Sequence, residues 1–147
     1  MLDLILYTYI IQERKRKDMN KKNVQLTVKQ HDLLEKKDQI IFDGIGQINM
    51  HNGLEIYYEE TDKTKVRLRL GESDGFLMRK GEVLTQMSFD LHAQQQCKVT
   101  TSVGDIYMDV NTINIELEKN KVFLYYELSE AGAIVGEFEL RLEWENE

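Results

Sequence analysis

Residues 134–145, Ile134-Val135-Gly136-Glu137-Phe138-Glu139-Leu140-Arg141-Leu142-Glu143-Trp144-Glu145, decide the fold. Ile134, Gly136, Phe138, Leu140, Leu142 and Trp144 fall on one side of a two-residue period. Val135, Glu137, Glu139, Arg141, Glu143 and Glu145 fall on the other. Successive side chains of a strand point to opposite faces, so this stretch predicts a strand with one dry face and one wet face.

The same period runs back through the chain to residue 23. Val122, Leu124, Tyr126 and Leu128 alternate with Phe123, Tyr125 and Glu127; Val66, Leu68 and Leu70 alternate with Lys65, Arg67 and Arg69. Leu54, Ile56 and Tyr58 form another such set, as do Val24, Leu26 and Val28, and Val83, Thr85, Met87 and Phe89. Cys97 to Ser102, Asp105 to Val110, and Ile113, Ile115 and Leu117 continue the pattern. A long strand is predicted from Ile40 to Met50, with Gly44 and Gly46 marking bends inside it. Asn52-Gly53 is a strong hairpin signal, and Thr61-Asp62-Lys63, Ser73-Asp74-Gly75 and Glu118-Lys119-Asn120-Lys121 read as further turns. The stretches His31 to Asp38 and Asp90 to Gln96 read as polar connections. Short connections make sequence neighbours pair antiparallel. The expectation is an all-β fold: a single antiparallel up-and-down β-barrel of roughly eight to ten strands, with a two-sheet sandwich as the alternative. Long strands and glycine bends favour the barrel, because closure removes exposed edges.

Composition agrees. The 147 residues suit one domain, and 41% apolar content supplies a core. There is no proline, which fits long paired strands joined by tight turns. The net charge of −7 argues against nucleic-acid binding. One cysteine, Cys97, excludes an internal disulfide and, without an export signal, points to the cytosol.

Residues 1–22 stand apart as an N-terminal extension of net charge +3, against −10 for the barrel domain at 23–147. Their apolar run precedes the basic cluster Arg14-Lys15-Arg16-Lys17, the reverse of a secretory signal, and is too short for a membrane span. An interfacial anchor is one reading; the preferred one places the true start at Met19.

Between Lys65 and Phe89 the residues Lys65-Val66-Arg67-Leu68-Arg69-Leu70-Gly71-Glu72, Leu77-Met78-Arg79-Lys80-Gly81-Glu82-Val83 and Met87-Ser88-Phe89 resemble the YwiB-like family of small bacterial proteins. Thr101-Ser102-Val103-Gly104, Thr112 and Tyr125-Tyr126-Glu127-Leu128 sit where that family has its Thr-x-x-Gly turn, a threonine and its final hairpin. The family commonly has proline and tyrosine inside that turn, where this chain has Ser102-Val103. The resemblance covers about residues 23–146. It implies a lipocalin-like (calycin) barrel and carries no catalytic or binding residue across, since fold does not dictate function.

The residues themselves offer no catalytic constellation. His31, His51 and His92 lie in or beside connections without a second ligand at metal-site spacing. Cys97 has no identifiable base, and Gly44-Ile45-Gly46 is not followed by a helix, so it is no phosphate loop. No metal or cofactor is expected, and the protein is not read as an enzyme.

The interior is more informative. Parity places Met50, Met87 and Met108 inward, together with Tyr58 and Tyr126. Methionines and two hydroxyls suit a small, mainly apolar or amphipathic ligand with one polar end. Arg79 would meet a ligand carboxylate if it points inward; otherwise it meets solvent or a glutamate. The candidate ligand-binding set is therefore Arg79, Tyr58, Tyr126, Met87 and Met108, with side chains that simply fill the core as the competing reading. The alternative function is a protein-interaction or structural module, acting as a homodimer through outward Tyr57, Phe123 and Tyr125. On that reading the basic Lys65-Arg67-Arg69 face could pair with the acidic Glu137-Glu139-Glu143 face, within one barrel or across a dimer.

Overall fold

A computed structural model of the chain describes residues 21–51 and 53–146. The readings of residues 1–18, as an extension ahead of Met19 or as an interfacial segment, lie outside the described residues. Among the described residues no helix is long and apolar enough to cross a membrane.

Ten strands follow one another: β1 (Lys22–Asp32), β2 (Lys37–Asn49), β3 (Leu54–Glu59), β4 (Lys65–Leu70), β5 (Asp74–Lys80), β6 (Leu84–Asp90), β7 (Gln95–Thr101), β8 (Gly104–Glu118), β9 (Lys121–Glu130) and β10 (Ala133–Asn146). Each pairs antiparallel with the next, and β1 pairs with β10, so the sheet closes into an up-and-down barrel. The predicted connection His31 to Asp38 shrinks to residues 33–36, because the β1–β2 ladder continues through His31↔Asp38 and Asp32↔Lys37. Asp32 then accepts from the amides of Leu34 and Glu35, which closes that turn.

Inward parity selects the core. Val24, Leu26, Val28, Ile56, Leu68, Leu70, Phe89, Val110, Val122, Leu124 and Leu142 are buried in one cluster. Trp144 belongs to it as well, although its indole N–H is buried without a hydrogen-bond partner.

Strict alternation fails at three places, and each failure is a register shift. The β1–β2 ladder steps from Val28↔Phe42 to Lys29↔Ile40, leaving Ile41 as the extra residue. The β8–β9 ladder leaves out Ile113, and the β9–β10 ladder leaves out Val135. A bulge reverses side-chain parity beyond it. Ile134 was expected to share a face with Gly136; it pairs with Ser129 and is exposed. Ile113 is exposed instead of continuing the inward row. Met50, also expected inward, is 71% exposed, because β2 ends at Asn49 and the chain turns there.

Inward glycines make room for rings. A Cβ on Gly44 would stand 3.2 Å from the ring of Phe42, and one on Gly136 would stand 2.6 Å from that of Phe138. Each ring covers the glycine two residues along its own strand. Gly46 is tighter: a Cβ there would lie 2.8 Å from the Leu26 side chain and 3.1 Å from the Tyr57 carbonyl oxygen. Gly46→Ala should therefore destabilise the protein by about 1–3 kcal/mol through overpacking. Urea unfolding measures this, and an unchanged midpoint would contradict so close an approach of β2 and β3.

Candidate functional site

Turns 33–36, 60–64, 81–83, 102–103 and 131–132 all lie at one end of the barrel, by the up-and-down order of the strands. Near this end the interior is not filled. A cavity of about 400 Å³ lies among Tyr58, Glu60, Arg79, Met87, Tyr126 and Leu140, with Gln30, Gln39 and Thr85 also facing it. That volume lies within the range of small-molecule pockets.

Arg79 comes to the cavity through register. It stands opposite Val66 on β4 and Thr85 on β6, and shares inward parity with buried Leu77. Its guanidinium donates from Nε to Glu60 Oε1 at 3.2 Å and from Nη2 to both carboxylate oxygens at 2.9 Å. The Arg79 side chain is 43% exposed and that of Glu60 18%. The fork leaves Nη1 with no acceptor among the described residues.

The two tyrosines frame the same space. Tyr58 stacks on Phe42, with ring centroids 4.6 Å apart. Tyr126 meets Phe89 edge-on at 5.2 Å and tilts against Phe138 at 5.7 Å. Among the described residues no protein group hydrogen-bonds either hydroxyl, so the two do not satisfy each other. Burial raises both phenol pKa values above their ordinary level; Glu60 adds to the rise at Tyr58, and Arg79 opposes it at both. Both groups are thus neutral donors facing a partly polar cavity.

Four of the five candidate residues, Arg79, Tyr58, Tyr126 and Met87, are brought together here. Met108 is not; it stands opposite Cys97 and packs against the core. Sequence reasoning missed Glu60, Gln30, Gln39 and Thr85 as lining groups. Glu60 follows Tyr58 at the two-residue spacing, which was a usable signal, but it reads as part of a turn. Gln30 and Gln39 oppose each other in the ladder; Gln30 continues the inward row of Val24, Leu26 and Val28, a usable signal, while the bulge at Ile41 disguises the parity of Gln39.

The remaining candidate groups are elsewhere. Cys97 is buried, and burial pushes its thiol pKa up, away from the reactive thiolate. A depression of about 650 Å³ lies on the outer surface of β10, β1 and β2, where His31 contacts Asp38 and Arg141 lies 3.8 Å from Glu139. Phe123 and Tyr125 adjoin on β9, but Tyr57 is on β3, four strands round the wall, so the three do not make one patch. Each also has a local partner: Arg67 over Tyr57, Arg141 over Phe123, and Glu137 accepting from the Tyr125 hydroxyl. That carboxylate holds the Tyr125 pKa up at about 12. The basic and acidic faces are likewise four strands apart and pair locally: Arg67 lies 3.6 Å from Glu55, and Lys121 lies 4.0 Å from Glu143.

The profile of a domain of unknown function, DUF1934, matches residues 23–142. Among curated proteins none matches the chain. The crystal structure of ywiB protein from Bacillus subtilis superposes with a TM-score of 0.69 at 20% identity, covering 87% of this chain and 94% of that one. At that identity the likeness shows a shared fold.

The tyrosine environment fixes a pH response. The unfolded chain releases phenol protons near 10, while folded Tyr58 and Tyr126 hold theirs to higher pH. The stability they contribute is intact below pH 10 and is lost as pH rises above it. In an ultraviolet absorbance titration of the folded protein, Tyr58→Phe and Tyr126→Phe should leave the ionisation near pH 10 unchanged; loss of a transition there would refute their burial.

Proposed function

The chain belongs to the family of the DUF1934 domain, and from its cavity we propose that it is a lipocalin-like binding protein for one small amphipathic molecule carrying an anionic end. The observation that carries this reading is the half-exposed Arg79, at a cavity that also holds two tyrosine hydroxyls without protein partners. An arginine is costly to leave unpaired near a low-dielectric interior, and Glu60 fills that need. Nη1 keeps its donors available, and a guanidinium fork matches a carboxylate or phosphate in plane. A ligand anion would accept from Nη1 and from a tyrosine hydroxyl. Its apolar body would lie on Met87, Leu77 and Leu140, all cavity-lining side chains. Met87 suits this, since its thioether adapts to irregular shapes. The lone buried thiol fits a reducing compartment and so supports a cytosolic location.

A thermal-shift comparison of octanoate with octanol tests the anchor. Octanoate should raise Tm more than octanol in the native protein. Arg79→Met combined with Glu60→Gln, which removes both charges together, should abolish that preference. Equal shifts by the two compounds, or an undiminished preference in the double variant, would reject the anionic end.

A further inference from the structure

The barrel wall is weakest between β2 and β3. Their ladder has three pairs, Gln47↔Tyr57, Ile48↔Ile56 and Asn49↔Glu55, although β2 runs for 13 residues. From Lys37 to Gly46, β2 is paired with β1 and has no strand on its other side among the described residues. In an antiparallel ladder every second residue turns both its N–H and its C=O away from its partner. This stretch therefore presents a row of main-chain donors and acceptors along the seam.

A groove of about 460 Å³ opens on the outer face where the β2–β3 ladder ends, and the unpaired stretch reaches it at Ile45 and Gly46. Ile45 and Gly46 form one wall, and Tyr57, Lys65, Arg67 and Lys80 line the other. Its charge is distinctive in a chain of net −7. Lys65 and Lys80 stand directly opposite each other on β4 and β5. Like charges in that position repel, and Glu59, directly opposite Lys65 on β3, offsets only part of this. Neither has a carboxylate within salt-bridge distance among the described residues, and Glu59 is the one acidic side chain lining the groove. At the floor, Tyr58 lines both this groove and the interior cavity.

We propose that this groove accepts an extended acidic segment of a partner protein, which adds as an extra strand to the edge of β2 that is unpaired among the described residues. Main-chain hydrogen bonds to β2 supply the binding, and alternation along the added strand supplies the selectivity. Outward acidic side chains lie over Lys65 and Lys80 and relieve their repulsion. Inward apolar side chains reach the Phe42–Tyr58 stack. The segment recognised is thus one in which acidic and apolar residues alternate, and its binding does not depend on a ligand inside the barrel.

Fluorescence anisotropy of the full chain with a labelled peptide of alternating valine and glutamate tests this. Binding should saturate, and Lys65→Glu with Lys80→Glu should weaken it by roughly tenfold or more without altering the circular dichroism spectrum. N-methylation of alternate residues along one edge of the peptide should abolish binding, and along the other edge should not. Three results would overturn the proposal: no saturable binding, indifference to N-methylation of either edge, or equal affinity for an oligonucleotide of the same charge.

Discussion

A pleated strand can offer only two faces, and this molecule uses each for one purpose. Because neighbours along the chain are also neighbours in the sheet, ten dry faces turn the same way and must enclose one another. Burying an aliphatic side chain of the size of Leu124 or Leu142 stabilises the fold by about 1.5–3 kcal/mol. Ten fully buried aliphatic positions among the inward rows, together with Phe89, favour closure over an open sheet. The charged outer rows then need only avoid like neighbours, and most ion pairs there are local.

The interior changes character along the barrel axis. Towards the end that carries the termini of β1 and β10 it is filled with aliphatics and Trp144. Towards the hairpin end, glycines at 44 and 136 lie under aromatic rings, and polar groups replace aliphatic ones. The same aromatics serve both regions: Phe42 covers Gly44 and supports Tyr58, while Phe138 covers Gly136 and supports Tyr126. Packing of these rings on their glycines thus helps to fix the tyrosines that line the cavity.

The fold was legible because nothing in most strands competes with a period of two. Residues 65–70 and 136–144 alternate without interruption, and their pairing follows from short turns. What was not legible was any shift that a single inserted residue causes. Nothing distinguishes Ile41, Ile113 or Val135 as a bulge from composition, since each is an ordinary β-branched strand residue. The parity error at Ile134 and the overlooked Gln39 follow from those shifts. The site was partly legible for the same reason: Tyr58, Met87 and Tyr126 lie on unshifted stretches, while Arg79 in a uniformly apolar run had to await its register with Val66 and Thr85.

The β1–β10 ladder joins Val24 to Asn146, the two extremes of the domain. Every other ladder forms between adjacent strands, so hairpins can assemble in order as the chain lengthens. The last ladder cannot. Until the ribosome has released the C-terminal strand, β1 waits with one edge bare, and loop-closure entropy across the whole domain opposes its capture. Closure of this barrel therefore depends on one long-range pairing, and only β10 can cover the second edge of β1.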